Sequence, residues 1–127
     1  MRPLMVLIAE DEAIVRNVIV SVLVRNNHSV LEADSAAEAL EISSTFDGTI
    51  DLLIADHALK TMTGRQVAET ICHARPGLKV LHISGYPFEK IEHEGGIIPG
   101  APFLAKPFRA TDLIRKIREI CEPGLSA

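Results

Sequence analysis

The chain has 127 residues, 47% of them apolar and 24% charged, a balance that supports one buried core and excludes a disordered chain. Aromatic residues make up only 4%, with no Trp and one Tyr, so that core must be aliphatic. Seventeen Asp and Glu against 13 Lys and Arg leave a formal charge of −4, which argues against a nucleic-acid surface spread over the whole domain.

Short apolar runs alternate five times with helical patterns. The first run, residues 4–9, shows no polar alternation, as a parallel strand covered on both faces requires, and it ends in Glu10-Asp11-Glu12. It is shorter than the roughly 7–15 residues of a leader's apolar stretch, which argues against a signal peptide despite Arg2. Val15, Val18, Ile19, Val22 and Leu23 follow at i, i+3, i+4 spacing and predict a helix facing inward along that stripe. Arg16, Asn17 and Ser21 interrupt this apolar region, which falls short of the about 20 residues of a membrane span.

The second run, residues 29–33, precedes Ser35-Ala36-Ala37-Glu38, a capping-box pattern that opens a second helix. The third, residues 50–55, precedes Thr63-Gly64-Arg65-Gln66, which does the same for a third. After the fourth run, residues 79–83, the helical pattern over residues 87–94 is short and Gly95-Gly96 ends it. The last run, residues 102–105, leads to a helix with Leu113, Ile114, Ile117, Ile120 and Cys121 inward and Arg115, Lys116, Arg118 and Glu119 outward. Residues 124–127 are expected to fray.

Five such units predict an α/β domain over residues 1–127, a doubly wound parallel sheet with helices on both faces. Two cysteines outside any CxxC pair fit a reduced, cytoplasmic setting. In such a sheet, ligands bind beyond the carboxyl ends of the strands. Glu10, Asp11 and Asp56 would then gather three carboxylates, which repel unless a cation neutralises them. An all-oxygen cluster suits Mg²⁺ with a phosphate, and Ser84 and Lys106 add a hydroxyl and an ammonium. Taken singly, the acids could cap the first helix, Asp56 and Ser84 could be turn residues, and Lys106 could be solvated. Their coincidence at four strand ends points to one site.

These residues resemble the receiver domain of two-component response regulators over almost the full length. Leu7-Ile8-Ala9-Glu10-Asp11-Glu12 resembles that family's acid pair. Asp51-Leu52-Leu53-Ile54-Ala55-Asp56, with Gly64 following, resembles its acceptor strand and loop. Lys79-Val80-Leu81-His82-Ile83-Ser84-Gly85-Tyr86 resembles the strand with the hydroxyl switch, and Phe103-Leu104-Ala105-Lys106-Pro107-Phe108 resembles the lysine motif.

The resemblance implies a flavodoxin-like five-stranded sheet in the order 2-1-3-4-5 and a phosphorylation switch. Asp56 would accept a phosphoryl group from a histidine kinase or histidine phosphotransfer protein. Mg²⁺ would be held by Asp11 directly, by Glu10 through water, by Asp56, and by the backbone carbonyl of Ala58. Ser84 and Lys106 would contact the phosphoryl group, and Ser84 with Phe103 would switch a surface toward a downstream protein partner. Such a module runs only its own phosphoryl transfer and autodephosphorylation, so it is not an enzyme for an outside substrate. Three departures stand out: Lys60 where the family commonly has proline, which predicts a looser loop; Glu10 for the commoner Asp; and Phe103 without a tyrosine hydroxyl.

The other candidates have plainer readings. No HxxxH spacing joins the five histidines; His57, beside the acceptor, could line the pocket mouth but reads more plainly as a turn residue, and His82 reads as packed within a strand. Cys72 and Cys121 fall on apolar helix faces, and Arg65, Arg75, Arg109, Arg115 and Arg118 read as solvated helix charges. Tyr86 fits either an exposed loop or a partner surface.

With no output domain expected after residue 127, the module would act by protein contact. Ser84-Gly85-Tyr86-Pro87 and the loop over residues 95–100 resemble receivers attached to hybrid sensor kinases. A flavin binder would need a hydroxyl- and Gly-rich loop where this chain has acids. An aspartyl phosphatase would need a second acid where Ala58 stands. The remaining alternative is a pseudo-receiver that binds proteins without phosphate, favoured only by Lys60.

Overall fold

The computed structural model describes residues 2–122. Strands β1 (Met5–Ala9), β2 (Ser29–Ala33), β3 (Leu52–Asp56), β4 (Lys79–Ser84) and β5 (Phe103–Ala105) alternate with helices α1 (Ala13–Arg25), α2 (Ala36–Thr45), α3 (Gly64–Ala74), α4 (Phe88–Glu94) and α5 (Ala110–Cys121). The strands form one parallel sheet in the order β2-β1-β3-β4-β5, as the family resemblance implies. The tail expected to fray lies outside the described residues.

Alternation along the strands divides the core in two. Leu7 and Ala9 of β1 join Leu53 and Ala55 of β3 under Ala36, Ala39, Val67, Ala68 and Ile71 of α2 and α3. Val6 and Ile8 join Leu52 and Ile54 on the other face, beneath Ile19, Leu23, Leu113 and Ile117 of α1 and α5. Each of these large aliphatic side chains contributes about 1.5–3 kcal/mol by its burial. Cys72 and Cys121 are half-buried at the margins of the two clusters.

Local signals behave as their chemistry dictates. Thr63 and Gln66 complete a reciprocal capping box on α3: the Gln66 N–H donates to Thr63 Oγ1 and the Thr63 N–H to Gln66 Oε1. Ser35 accepts from the Glu38 N–H, but the Glu38 carboxylate reaches one residue further back, to the Asp34 N–H. On α4 only Ile91 is buried, and Gly95 ends the helix in the left-handed region at φ 73°. That single anchor makes α4 the least supported helix of the fold.

Two expectations are corrected. Val18 does not face the core; it is exposed with Ile14 one turn earlier, because the sheet covers only the side of α1 carrying Ile19, Val22 and Leu23. Arg75 is not a solvated charge. Its guanidinium donates to the carbonyls of Ser43, Phe46 and Gly48 at 2.7–3.2 Å, tying the end of α3 to the end of α2. Five donors in a rigid fork suit that cluster of unpaired helix-end carbonyls.

Gly64 fixes how α3 starts. Its N–H donates to the His57 carbonyl at 2.7 Å, and a Cβ at this position would lie 2.3 Å from the Asp56 carbonyl oxygen. Backbone on both sides leaves no room for it. Gly64→Ala is expected to lower the urea unfolding free energy by about 2 kcal/mol or more. A variant within about 0.5 kcal/mol of the native chain would contradict this packing.

Candidate functional site

The carboxyl ends of β1 and β3 carry Glu10, Asp11 and Asp56, whose carboxylate oxygens lie within 4.8 Å of one another. Glu10 and Asp56 are buried and Asp11 is half-buried. Glu10 is held by its backbone: its N–H donates to the Ala33 carbonyl at 3.1 Å, and its carbonyl accepts from Arg16 Nη1 at 2.8 Å. The N-cap Glu12 of α1 makes no side-chain cap hydrogen bond, so the capping role open to Glu10-Asp11-Glu12 is not what gathers these acids. Glu10 Oε2 accepts from the Glu12 N–H at 3.3 Å.

Lys106 supplies the opposing charge from the end of β5. Its backbone N–H donates to the Ser84 carbonyl at 2.7 Å, and its Nζ lies 2.9 Å from Glu10 Oε1, 3.1 Å from Glu12 Oε1 and 3.6 Å from Asp56 Oδ2. Burial would lower its pKa, but the hydrogen bond to Glu10 and the charges of Asp56 and Glu10 hold it above the ordinary value. Burial pushes Glu10 up to about 7; the Lys106 hydrogen bond opposes that rise and the Asp56 charge adds to it.

Ser84 ends β4, fully buried, with its hydroxyl accepting from the Tyr86 N–H at 2.9 Å. Phe103 begins β5 and meets Phe88 of α4 at 5.3 Å between centroids. Ala58 pairs with Thr63 across the loop after Asp56, and the Leu59 N–H donates to the Met62 carbonyl at 3.1 Å, which leaves Lys60 exposed at the loop tip. A cleft of about 600 Å³ opens over Asp11, Asp56, Ala58 and Lys106, with Ile14, Val18, Tyr86 and Phe108 on its rim.

The match to the response regulator receiver domain covers residues 6–118. This chain belongs to that family. It is 31% identical to the sensor kinase CckA of Brucella abortus over 117 residues, 92% of this chain but only 12% of the kinase. It is 27% identical to the response regulator receiver protein CpdR of the same organism, covering 91% of this chain and 94% of that protein. The crystal structure of a response regulator receiver protein from Sinorhizobium medicae superposes with a TM-score of 0.80 at 27% identity, covering 93% of this chain and 94% of that one. The chain is thus a receiver domain of two-component systems, a signalling domain. No helix among the described residues is long and apolar enough to cross a membrane.

The receiver fold brings Glu10, Asp11, Asp56 and Lys106 into one cluster and sets Ala58 on its rim. Ser84 reaches the edge of that cluster through Lys106, and Phe103 lies apart, against α4. One residue was missed by pattern alone. Arg16 looked like an interruption of an apolar stripe but holds the Glu10 carbonyl; its only signal was a cation one turn after the acid pair. Of the two readings of His57, a turn residue or one lining the pocket mouth, the structure bears out the second: it lines the cleft, with its Nδ1 3.4 Å from Asp56 Oδ1.

His82 is fully buried, its Nε2 accepting from the Ile98 N–H, and burial followed by the His57 charge lowers its pKa to about 4. Stability from neutral His82 is complete above its unfolded value of about 6.5 and is lost as pH falls toward about 4. Glu10 acts with the opposite sign. Ionised Glu10 costs stability above its folded value of about 7, and that cost disappears as pH falls toward its unfolded 4.5. In EDTA, Glu10→Gln should therefore lose about 2 kcal/mol more urea stability than the native chain between pH 7.5 and 5, because it keeps the loss from His82 without the opposing gain from Glu10. The same pH profile for both would contradict the opposition.

Proposed function

We propose that this receiver domain is a phosphorylation-dependent switch in which Asp56 accepts a phosphoryl group from a phosphohistidine on a histidine kinase or phosphotransfer protein. The observation that carries this reading is the cluster itself: three carboxylates at strand ends, with the Lys106 ammonium turned inward among them. Structural carboxylates gain nothing from such proximity, whereas a site for a cation and a phosphoryl group requires it.

The donor set fits Mg²⁺. Asp11 and Asp56 offer carboxylate oxygens, Ala58 lines the cleft beside them and would give its carbonyl, and buried Glu10 would act through water. A hard cation bound there supplies charge neutralisation for two anions that must approach. The chain's own residues do the rest. Asp56 Oδ attacks phosphorus as the P–N bond to the donor histidine breaks and its imidazole leaves with the electron pair, Lys106 faces the incoming negative charge, and the Ser84 hydroxyl turns to donate to a phosphoryl oxygen.

The exposed apolar side chains Ile14, Val18 and Tyr86, with half-buried Phe108 beside them, around an acidic centre suit a protein donor better than a small metabolite. The likeness to both a sensor kinase and a free-standing receiver protein fits a phosphohistidine partner in either setting. On this reading, movement of Ser84 and Phe103 alters the weakly anchored α4 and the neighbouring β5 edge, which form the surface toward a downstream protein. Residues 1–127 act as one module, in a reducing cytoplasm.

Incubation with acetyl phosphate and Mg²⁺, followed by intact mass measurement, should show one added phosphoryl group. Asp56→Asn should show none, because an amide is no nucleophile, and Asp11→Ala should lower the labelling rate at least about tenfold at limiting Mg²⁺. An unlabelled native chain that still bound its partner would overturn the switch in favour of a phosphate-independent binding module.

A further inference from the structure

His57 follows the proposed acceptor directly, and its backbone is fixed from both sides. Its N–H donates to the Ile83 carbonyl at 3.0 Å, and its carbonyl accepts from the Gly64 N–H at 2.7 Å. The ring is confined as well. It meets Tyr86 edge-on with centroids 5.3 Å apart, and Gly96 comes so close that a Cβ there would stand 3.6 Å from His57 Cδ2. In this setting Nδ1 is buried, finds no hydrogen-bond partner among the described residues, and lies 3.4 Å from Asp56 Oδ1. Lys106 Nζ lies on the other carboxylate oxygen, 3.6 Å from Oδ2.

A buried ring nitrogen left without a partner is costly, and Asp56 Oδ1 is the acceptor set before it. A lone pair on Nδ1 would face a carboxylate oxygen and repel it, so the chemistry selects the tautomer with the proton on Nδ1. We infer that His57 is a positioning residue for Asp56: its Nδ1–H closes onto Oδ1 and leaves Oδ2, on the Lys106 side, as the oxygen presented to phosphorus.

This inference rests on Asp56 being the acceptor. With acetyl phosphate as donor, Oδ2 supplies the electron pair of the new O–P bond. The P–O bond to acetate breaks, acetate leaves with its electron pair, and His57 keeps its proton throughout. Orientation of the carboxylate is all that His57 contributes, and one hydrogen bond of about 1 kcal/mol corresponds to roughly fivefold in rate.

The test has two independent parts, both on the full chain. Nitrogen-15 NMR at pH 8 should show His57 protonated on Nδ1; protonation on Nε2 overturns the proposal whatever the kinetics. Phosphorylation by acetyl phosphate with Mg²⁺ should be about fivefold slower in His57→Leu. His57→Asn, whose amide nitrogen can take the place of Nδ1, should recover to within about twofold of the native rate. A native rate in His57→Leu, or a His57→Asn as slow as His57→Leu, reduces His57 to packing and overturns the assignment. Failure of the native chain to take up phosphate would instead sink the acceptor reading, while the tautomer still reports on the His57–Asp56 contact.

Discussion

Three carboxylates whose oxygens lie within 4.8 Å of one another set the terms for everything at the carboxyl edge of this sheet. At an effective dielectric of about 20, a pair at that separation repels by about 3–4 kcal/mol. The fold tolerates this by two means: Lys106 is drawn in from β5 to contact Glu10 and Asp56, and Glu10 is pushed toward neutrality near pH 7. The same arrangement leaves a site whose charge is balanced only in part, which is the state a cation and a phosphoryl group would complete.

Holding that cluster together falls to groups that carry no chemistry of their own. Arg16 fixes the Glu10 carbonyl, Gly64 lets α3 start against the backbone of Asp56, and the Lys106 N–H is pinned to Ser84. Aliphatic burial on both faces of the sheet supplies the rigidity behind them, and Arg75 locks α2 to α3 on one face. Rigidity ends at α4. One buried anchor, Ile91, and a left-handed glycine cap make it the element with least to lose when its neighbours move.

The alternation of short apolar runs with helical patterns was enough to place every strand and helix, because continuous apolar runs and period-3.6 patterns are local properties of the chain. The strand-end acids, the serine and the lysine were legible for the same reason: each sits directly after an apolar run, where an α/β sheet opens to ligands. Direction around a helix was less legible. Val18 fits the inward stripe of α1 by spacing, yet the sheet beneath α1 is too narrow to cover it.

The sequence by itself therefore determined the class of fold, the order of its elements and the residues that can carry phosphoryl chemistry, since these follow from local periodicity and side-chain type. Only the tertiary structure decided which groups face one another across long stretches of chain. Lys106 meets Glu10 and Glu12 as well as Asp56, Arg75 caps a helix that ends 30 residues before it, and His57 turns its Nδ1 onto Asp56. Contacts of this kind depend on how two layers of helices settle on a twisted sheet, and no pattern along a single chain encodes those distances.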